Sequence, residues 1–319
     1  MKPSFHITAD GLSITDIIKR SLISITVRDE PGIESDSLRL QLTDDPPMDL
    51  PEEGTILRVA LGYEDRLIDL GAYATRPGAI KGPTREIAIE ASVIDRYPEM
   101  KEQKRRSWSD RNLKDIVSEI AKEQGLTPSV SPSFADVIIP HDDQSESDSA
   151  FLTRMAKRFD ALFKIQEQSL IFFDRESKAT PAGSVIEPIL IEGIQSYELK
   201  IRRERVYTGV RAYWWSHRKG QRLSLLAGNE GSVYELKMPF RDGISARHAA
   251  SAKLRETKRS ASYLSFSMPG KPELFAGGRC IVRGLRPGLD GEWDIQSTEH
   301  TLSNSGFITT VTCEGMKPL

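Results

Sequence analysis

The hydrophobic pattern of residues 147–175 changes from a helical period to a strand period within one short segment. Its first part, SDSAFLTRMAKRF, has apolar side chains at helical spacing, and Ser147 or Asp148 can cap its start by accepting backbone N–H groups. The apolar stripe consists of Phe151, Leu152, Met155, Ala156 and Phe159. After Asp160 the period becomes two, and a second apolar run follows a polar turn at 167–169. This pattern predicts a capped helix that leads directly into a β-hairpin.

The first 95 residues alternate between apolar and polar positions in several short runs, as half-buried strands do. These runs lie at 21–28, 37–43, 55–61, 66–74 and 85–93. Glycine, proline and aspartate separate them, and the acidic, proline-rich stretch DDPPMDLPEEG at 44–54 predicts a loop. Short strands without long helices are typical of an antiparallel barrel or sandwich.

Residues 96–180 have a different character, which predicts a small α+β unit. The basic stretch 101–111 predicts an extended connection, after which Ser109 or Asp110 can cap a helix over about 111–124 that ends at Gly125. The buried stripe of that helix is Leu113, Ile116, Val117, Ile120 and Ala121. Residues 128–147 predict turns with one short strand, before the helix and hairpin described above.

Residues 181–319 return to a strand pattern that one helix interrupts. Successive runs such as SYELKIRRE, VYTGVRAYWWS and GFITTVTCEG predict strands, and the segment 244–258 predicts a helix. Alanine and leucine recur at helical spacing in that segment, at Ala246, Ala249, Ala250 and Leu254. The chain therefore predicts strands, then a mixed unit, then strands with a helical insertion.

Composition and charge do not favour a nucleic-acid-binding or membrane protein. Hydrophobic residues make up 38% and charged residues 28% of the 319 residues, and the formal net charge is −2. The start MKPSFHITADG has no apolar core of a secretory signal, and no apolar run approaches the roughly 20 residues that span a bilayer. We therefore expect synthesis in the cytoplasm and no membrane anchor.

No catalytic motif is present in the sequence. The patterns GxSxG, GxxxxGK[ST], GxGxxG, HExxH and CxxC are absent, and the five histidines have no metal-ligand spacing. The acidic pairs Glu52/Glu53 and Asp142/Asp143 lie in polar stretches, where we expect solvated loops rather than the two carboxylates of a glycosidase. The residues themselves therefore favour a structural or interaction protein, which is not an enzyme and has no cofactor or metal.

Two further pairs have open interpretations. Trp214 and Trp215 are adjacent, so a strand would turn them to opposite faces, one to the core and the other to the core or to an interface. Cys280 and Cys313 fit a reducing compartment, and we expect two buried free thiols.

Two basic clusters contain the candidate contact residues. The first predicts either a solvated linker or a contact to an acidic neighbour or a nucleic-acid-bearing channel, and it includes Lys104, Arg105 and Arg106. The second lies on a predicted strand, where Arg203 and Arg205 share one face that meets solvent or a channel.

Several stretches, in order along the chain, resemble the late control protein D family, the central hub proteins of contractile phage tails. IESDSLRLQLTDD at 33–45 and LPEEGTILRVALGY at 50–63 resemble the first barrel of that family. KRRSWSDRNLKDIVSEIAKEQGL at 104–126 and the segment 144–173 resemble its helices and hairpin, and 275–315 resembles its last strands. The same fold resembles the N-terminal hub part of VgrG spike proteins.

The resemblance implies a mainly β fold in which two related antiparallel β-barrels flank a small α+β domain. It places the first barrel at 1–95, the α+β domain at 96–180 and the second barrel, with its helical insertion, at 181–319. It also implies a homotrimer, because three copies of a two-barrel chain present six barrels to a sixfold tail tube and threefold symmetry to a spike. The chain ends soon after the second barrel, so we expect a separate spike protein.

The leading hypothesis is a non-enzymatic baseplate hub of a contractile phage tail or a phage-tail-like bacteriocin, located in the tail baseplate. The implied partners are the trimeric tail spike protein, the tail tube protein and other baseplate proteins, with nucleic acid or a tape-measure protein passing through the channel. Candidate channel or partner contacts are Lys104, Arg105, Arg106, Arg203 and Arg205. The alternatives are a VgrG-like spike component of type VI secretion and a tail-associated cell-wall hydrolase.

Overall fold

The computed structural model describes residues 2–30, 36–93, 97–166, 168–175, 177, 187–201, 207–216, 219–260, 262–286 and 288–318. Within these residues the chain forms twenty-two strands and four α-helices. The predicted fold class, mainly β with a small α+β unit between two antiparallel β regions, is confirmed. Among the described helices, none has both the length and the apolar character that crossing a bilayer requires.

The N-terminal region is antiparallel β structure, as its alternation predicts. Its elements are β1 (Pro3–Ala9), β2 (Leu12–Ser13), α1 (Thr15–Ser21), β3 (Leu22–Asp29), β4 (Ser37–Thr43), β5 (Ile56–Tyr63), β6 (Arg66–Thr75), β7 (Ala79–Lys81) and β8 (Glu86–Val93). In β4 the leucines are buried and the polar residues between them point away, because successive side chains face opposite sides. The short helix α1 has no counterpart in the sequence prediction.

The central region combines two helices with short strands. Its elements are β9 (Arg106–Asn112), α2 (Leu113–Glu123), β10 (Thr127–Val130), β11 (Ile138–Gln144), α3 (Asp148–Phe159), β12 (Ala161–Gln166) and β13 (Ser169–Asp174). The predicted α3 and its cap are confirmed, since the Ser147 side chain accepts from the Ala150 N–H. The cap of α2 is instead Asn112, whose side chain accepts from the Lys114 N–H.

The basic stretch expected as an extended connection is in part a strand. β9 pairs antiparallel with β11, and its Trp108 is buried in the core. Burial of that large side chain holds the stretch against the protein, although charged residues surround it in sequence. The segment between α2 and α3, which was predicted to contain one short strand, contains two, β10 and β11.

The C-terminal region contains the remaining strands and the predicted third long helix. Its elements are β14 (Ile189–Ile191), β15 (Ser196–Ile201), β16 (Gly209–Ser216), β17 (Gln221–Gly228), β18 (Val233–Glu235), α4 (Gly243–Arg259), β19 (Ser262–Pro269), β20 (Arg279–Val282), β21 (Gly291–Ser303) and β22 (Gly306–Pro318). The Asp242 side chain caps α4 by accepting from the Ser245 N–H.

A single sheet joins the two ends of the chain. Its strand order is β15-β19-β22-β21-β3-β4-β8-β6-β5-β1-β2, and β7, β14 and β20 branch from this path. The junction is the antiparallel pairing of β3 with β21, from Ser24 opposite Ser303 to Asp29 opposite Thr298. Pairing among the described strands closes neither β region into a full ring.

The buried hydrophobic side chains of the described residues form three cores. The first contains residues of β1–β8 together with Leu302 and Phe307, and the third contains residues 191–313 of the C-terminal strands. The second contains the central region and also Val210, Ala212 and the alanines of α4. The β16–α4 segment thus packs against the central region, while the three-domain division at 95/96 and 180/181 stays a prediction.

Candidate assembly surfaces

Two of the predicted contact residues lie in an internal ion-pair cluster. Lys104 Nζ donates to Asp148 Oδ2 at 2.6 Å and to Glu123 Oε2 at 3.1 Å. Arg106 donates to the same two carboxylates, with 2.7 Å from Nη1 to Glu123 Oε1. Asp148 belongs to the first turn of α3 and its side chain is fully buried. The cluster therefore joins β9 to the helices α2 and α3.

The electrostatics of this cluster favour the charged carboxylate. Burial alone would raise the pKa of Asp148, but donors from Lys104, Gln144 and Arg106 hold that pKa below its ordinary value. A buried carboxylate with several donors holds those donors in place, because releasing one leaves it unsatisfied. Lys104 and Arg106 thus serve the internal packing of the central region.

The other predicted contact residues have different outcomes. Arg105 lies between Lys104 and Arg106 in the chain, and its side chain is exposed. Arg203 and Arg205 lie outside the described residues. The role of all five residues as channel or partner contacts stays a prediction.

The acidic pair Asp142/Asp143 is not a solvated loop, contrary to expectation. Both residues lie on β11, and alternation along the strand buries Asp142 while Asp143 faces solvent. Asp142 accepts from Arg154 at 2.8 Å and from Arg158 at 2.9 Å, so it ties β11 to α3. A carboxylate held by two guanidinium groups is a structural ion pair.

A third buried carboxylate joins α3 to α4, and the sequence analysis missed it. Asp160 ends α3 in the left-handed backbone region, with φ of 56°, and is buried. It accepts from Arg255 Nε at 3.0 Å and from Arg259 Nη1 at 2.8 Å. The only local signal is an aspartate at a helix end, since the two arginines lie almost one hundred residues away in sequence.

A carboxyl pair lies where the three regions meet. Asp29 of β3 shares a hydrogen bond with Asp36, and Lys164 Nζ of β12 lies 3.3 Å from Asp29 Oδ1 and 3.8 Å from Asp36 Oδ2. Asp29 Oδ2 also accepts from the Ala276 N–H of the C-terminal region. Burial, and then the charge of Asp29, raise the pKa of Asp36 to about 7 against the pull of Lys164.

This carboxyl pair does not have the geometry of a glycosidase site. Such sites hold their two carboxyl groups about 5 to 9 Å apart, so that a sugar or water fits between them. Asp29 and Asp36 instead contact each other directly, and a lysine bridges them. The pair is suited to joining the three regions.

The cysteines, histidines and tryptophans complete the candidate residues. Cys280 and Cys313 are buried free thiols with their Sγ atoms 3.7 Å apart, and burial raises the pKa of Cys313. In the described part of the chain, no three His, Cys, Asp or Glu side chains form a cluster that fits a metal ion. Trp214 packs against the central core, whereas Trp215 is 51% exposed.

Comparisons with known proteins agree with this fold. The family model for the phage tail baseplate hub (GPD) matches residues 64–306. A probable baseplate hub protein of Escherichia phage 186 is 27% identical over 98% of this chain and 93% of its own length. The family model and this relative therefore both match most of the chain.

Two solved structures have a similar fold. A tail protein from Neisseria meningitidis superimposes with a TM-score of 0.68 at 12% identity, and the match covers 98% of this chain and 97% of that one. A component of the type VI secretion system from E. coli superimposes with a TM-score of 0.56 at 12% identity, over 98% of this chain and 77% of that one. At such identities the likeness concerns the fold, while the family match covers most of the sequence. The chain therefore belongs to the phage tail baseplate hub (GPD) family.

Proposed function

We propose that this baseplate hub protein acts as a homotrimeric ring that adapts a sixfold tail tube to a threefold spike and surrounds a central channel. The tail is that of a contractile phage or a phage-tail-like bacteriocin. The protein is synthesised and assembled in the bacterial cytoplasm, and its place in the particle is the tail baseplate.

The observation that carries the proposal is the single sheet formed from both ends of the chain. Pairing of β3 with β21 sets an N-terminal and a C-terminal β region side by side in one protomer. Three such protomers in a closed ring present six β regions in one layer. A sixfold partner can then bind the six β regions, while a threefold partner binds the three copies as units.

The proposed role is structural rather than catalytic. The buried carboxylates Asp142, Asp148 and Asp160 are each held by at least two basic side chains, which fits internal bracing. The proposed partners are the trimeric spike protein, the tail tube protein and other baseplate proteins, with nucleic acid or a tape-measure protein passing through the channel.

The alternative function is that of a spike component of type VI secretion. It is favoured by the fold that this chain shares with the E. coli type VI component. Because that likeness concerns the fold alone, gene neighbourhood separates the two functions: sheath and tape-measure genes favour a phage tail, and secretion ATPase genes favour type VI secretion.

The test is the mass of the purified protein in solution, alone and mixed with the spike protein encoded beside it. A trimer, or a complex of three hub and three spike chains, is the expected result. A monomer that does not bind the spike protein contradicts the proposal. Turbidity of a bacterial cell-wall suspension, which the hub should leave unchanged, tests the hydrolase alternative.

A further inference from the structure

The hairpin of β16 and β17 has an outer face that no core covers among the described residues. Val210, Ala212 and Trp214 point inward to the central core, so their neighbours on the strand point outward. We name this outer surface the aromatic face, and it consists of Arg211, Tyr213, Trp215, Arg222, Ser224 and Leu226. Trp215 is 51% exposed there.

The aromatic face has its free positive charge at one end. Arg211, at the end near β18, lies 3.3 Å from Glu230 and 3.6 Å from Glu235. At the other end Arg222 stacks on the ring of Tyr213, with 3.7 Å to its centre, and is paired in register with Trp215. Arg222 and the nearby Lys219 are exposed and form no ion pair with a described carboxylate. The positive charge at this end therefore has no ion-pair partner in the part of the chain that the structure describes.

The chemistry of this end is that of a protein interface. Tryptophan, tyrosine and arginine are the residues most enriched at the centres of interfaces. The two aromatic types supply large contact area with few lost rotamers, and arginine supplies charge and hydrogen-bond donors. Here Trp215 and Arg222 form one cross-strand pair, and Tyr213 belongs to the next pair on the same face, opposite Ser224. A single exposed aromatic residue is ordinary on a protein surface. This combination, together with cations that form no ion pair within the described residues, is typical of a docking surface.

The same chain has an exposed acidic loop on another core. Residues 44–54 expose Asp45, Asp49, Glu52 and Glu53. Met48 and Leu50 pack partly against the first core, and the loop is held in place by the bond from Thr75 Oγ1 to the Glu52 carbonyl at 2.6 Å. The aromatic face packs on the second core instead, so the two charged surfaces belong to different parts of one protomer.

We infer that the aromatic face of one protomer binds the acidic loop of the next protomer in the ring. The inference rests on the proposed trimer. Every contact of a closed three-membered ring joins two unlike surfaces, because each protomer presents one surface to each neighbour. The basic, aromatic face and the acidic loop are such a complementary pair, and the exposed Pro46 and Pro47 of the loop offer apolar contacts to Trp215 and Tyr213.

The test is the self-association of variants of the aromatic face, measured by sedimentation. The conditions are those under which the wild-type protein forms the trimer, alone or with the spike protein. Arg222→Glu and Trp215→Ala should each weaken association by roughly tenfold to thirtyfold, as loss of an interface anchor does. Both side chains are on the surface, so both variants should fold. Arg286→Glu reverses an exposed charge in a loop of the third core and should leave association unchanged.

Compensation provides the decisive result. Combining Arg222→Glu with Glu52→Arg and Glu53→Arg restores opposite charges and should recover association. Higher salt should weaken the wild-type trimer and the Trp215→Ala trimer alike, because both keep the opposite charges, but should not weaken association of Arg222→Glu further. If Arg222→Glu and Trp215→Ala remain trimeric like the wild type, the inferred contact is wrong while the trimer stands. If the wild type never forms a trimer, the proposed ring fails and this contact with it.

Discussion

Replacing Asp36 with asparagine should stabilise the protein at alkaline pH, because it removes a charge that the fold holds at a cost. Asp36 accepts the Glu30 N–H through Oδ1 at 3.0 Å, and its carboxyl group contacts that of Asp29. An asparagine side chain has the same shape, keeps an acceptor for the Glu30 N–H and offers a donor to Asp29. Lys164 keeps Asp29 as its nearer partner, at 3.3 Å.

The magnitude follows from the pKa of Asp36, which the fold raises from 3.8 to about 7. Between these values the native protein holds a proton that the unfolded chain has released, so the stabilising contribution is complete below the unfolded pKa and is lost as pH rises through about 7. Three pKa units at about 1.4 kcal/mol each give about 4 kcal/mol as an upper bound. Because the proton is shared with Asp29, we expect about half of it, ~2 kcal/mol.

The assay is urea unfolding followed by tryptophan fluorescence, for wild type and Asp36→Asn, at about pH 5 and about pH 8.5. The variant should be more stable by ~2 kcal/mol at the higher pH, and by less at the lower pH, where Asp36 is still neutral in the native protein and only the unfolded chain has released its proton. Asp65→Asn, at the exposed turn between β5 and β6, is the control and should change little at either pH. A variant that is less stable than wild type at about pH 8.5 would refute the reasoning, because the charge of Asp36 would then be net stabilising through Lys164.

Two further predictions concern the contacts between elements. Asp160→Asn keeps a residue that tolerates the left-handed backbone but removes the charge that faces Arg255 and Arg259. Urea unfolding should therefore show a loss of about 3 to 5 kcal/mol in the free energy of unfolding. A loss below about 1 kcal/mol would mean that water or Glu314 satisfies Arg259. Gly270→Ala places a methyl group against the ring of Phe307, so a thermal scan should show a loss of about 1 to 3 kcal/mol in the free energy of unfolding. A loss below about 0.5 kcal/mol would mean that Phe307 moves aside freely.

The three long helices, α2, α3 and α4, were predictable because their signals are local. In α3 the apolar stripe, the Ser147 cap and the change of period at Asp160 all lie within a few residues of one another. The spacing of side chains along a helix or strand is set by backbone geometry, so it can be seen in a short window of sequence. The hairpin of β12 and β13 follows from the same local pattern, with Phe163 opposite Phe172.

The candidate residues were harder to predict, because charge alone does not tell where a side chain points. Lys104 and Arg106 resembled free surface cations in the sequence, yet both face the buried Asp148. Arg105, which lies between them in the chain, is exposed instead. The sequence predicts that one of Trp214 and Trp215 faces the core but not which one. The structure shows that Trp214 packs against the central core.

The amino-acid sequence was sufficient to predict most of the elements in order, the fold class and the family resemblance. It did not predict that β3 pairs with β21, that β9 pairs with β11, or that Asp29, Asp36 and Lys164 meet. Periodicity reports which face of an element is buried, but not which distant element covers it. The partners of a strand edge or a buried charge are chosen by the packing of the whole chain, since many surfaces of similar pattern compete for them.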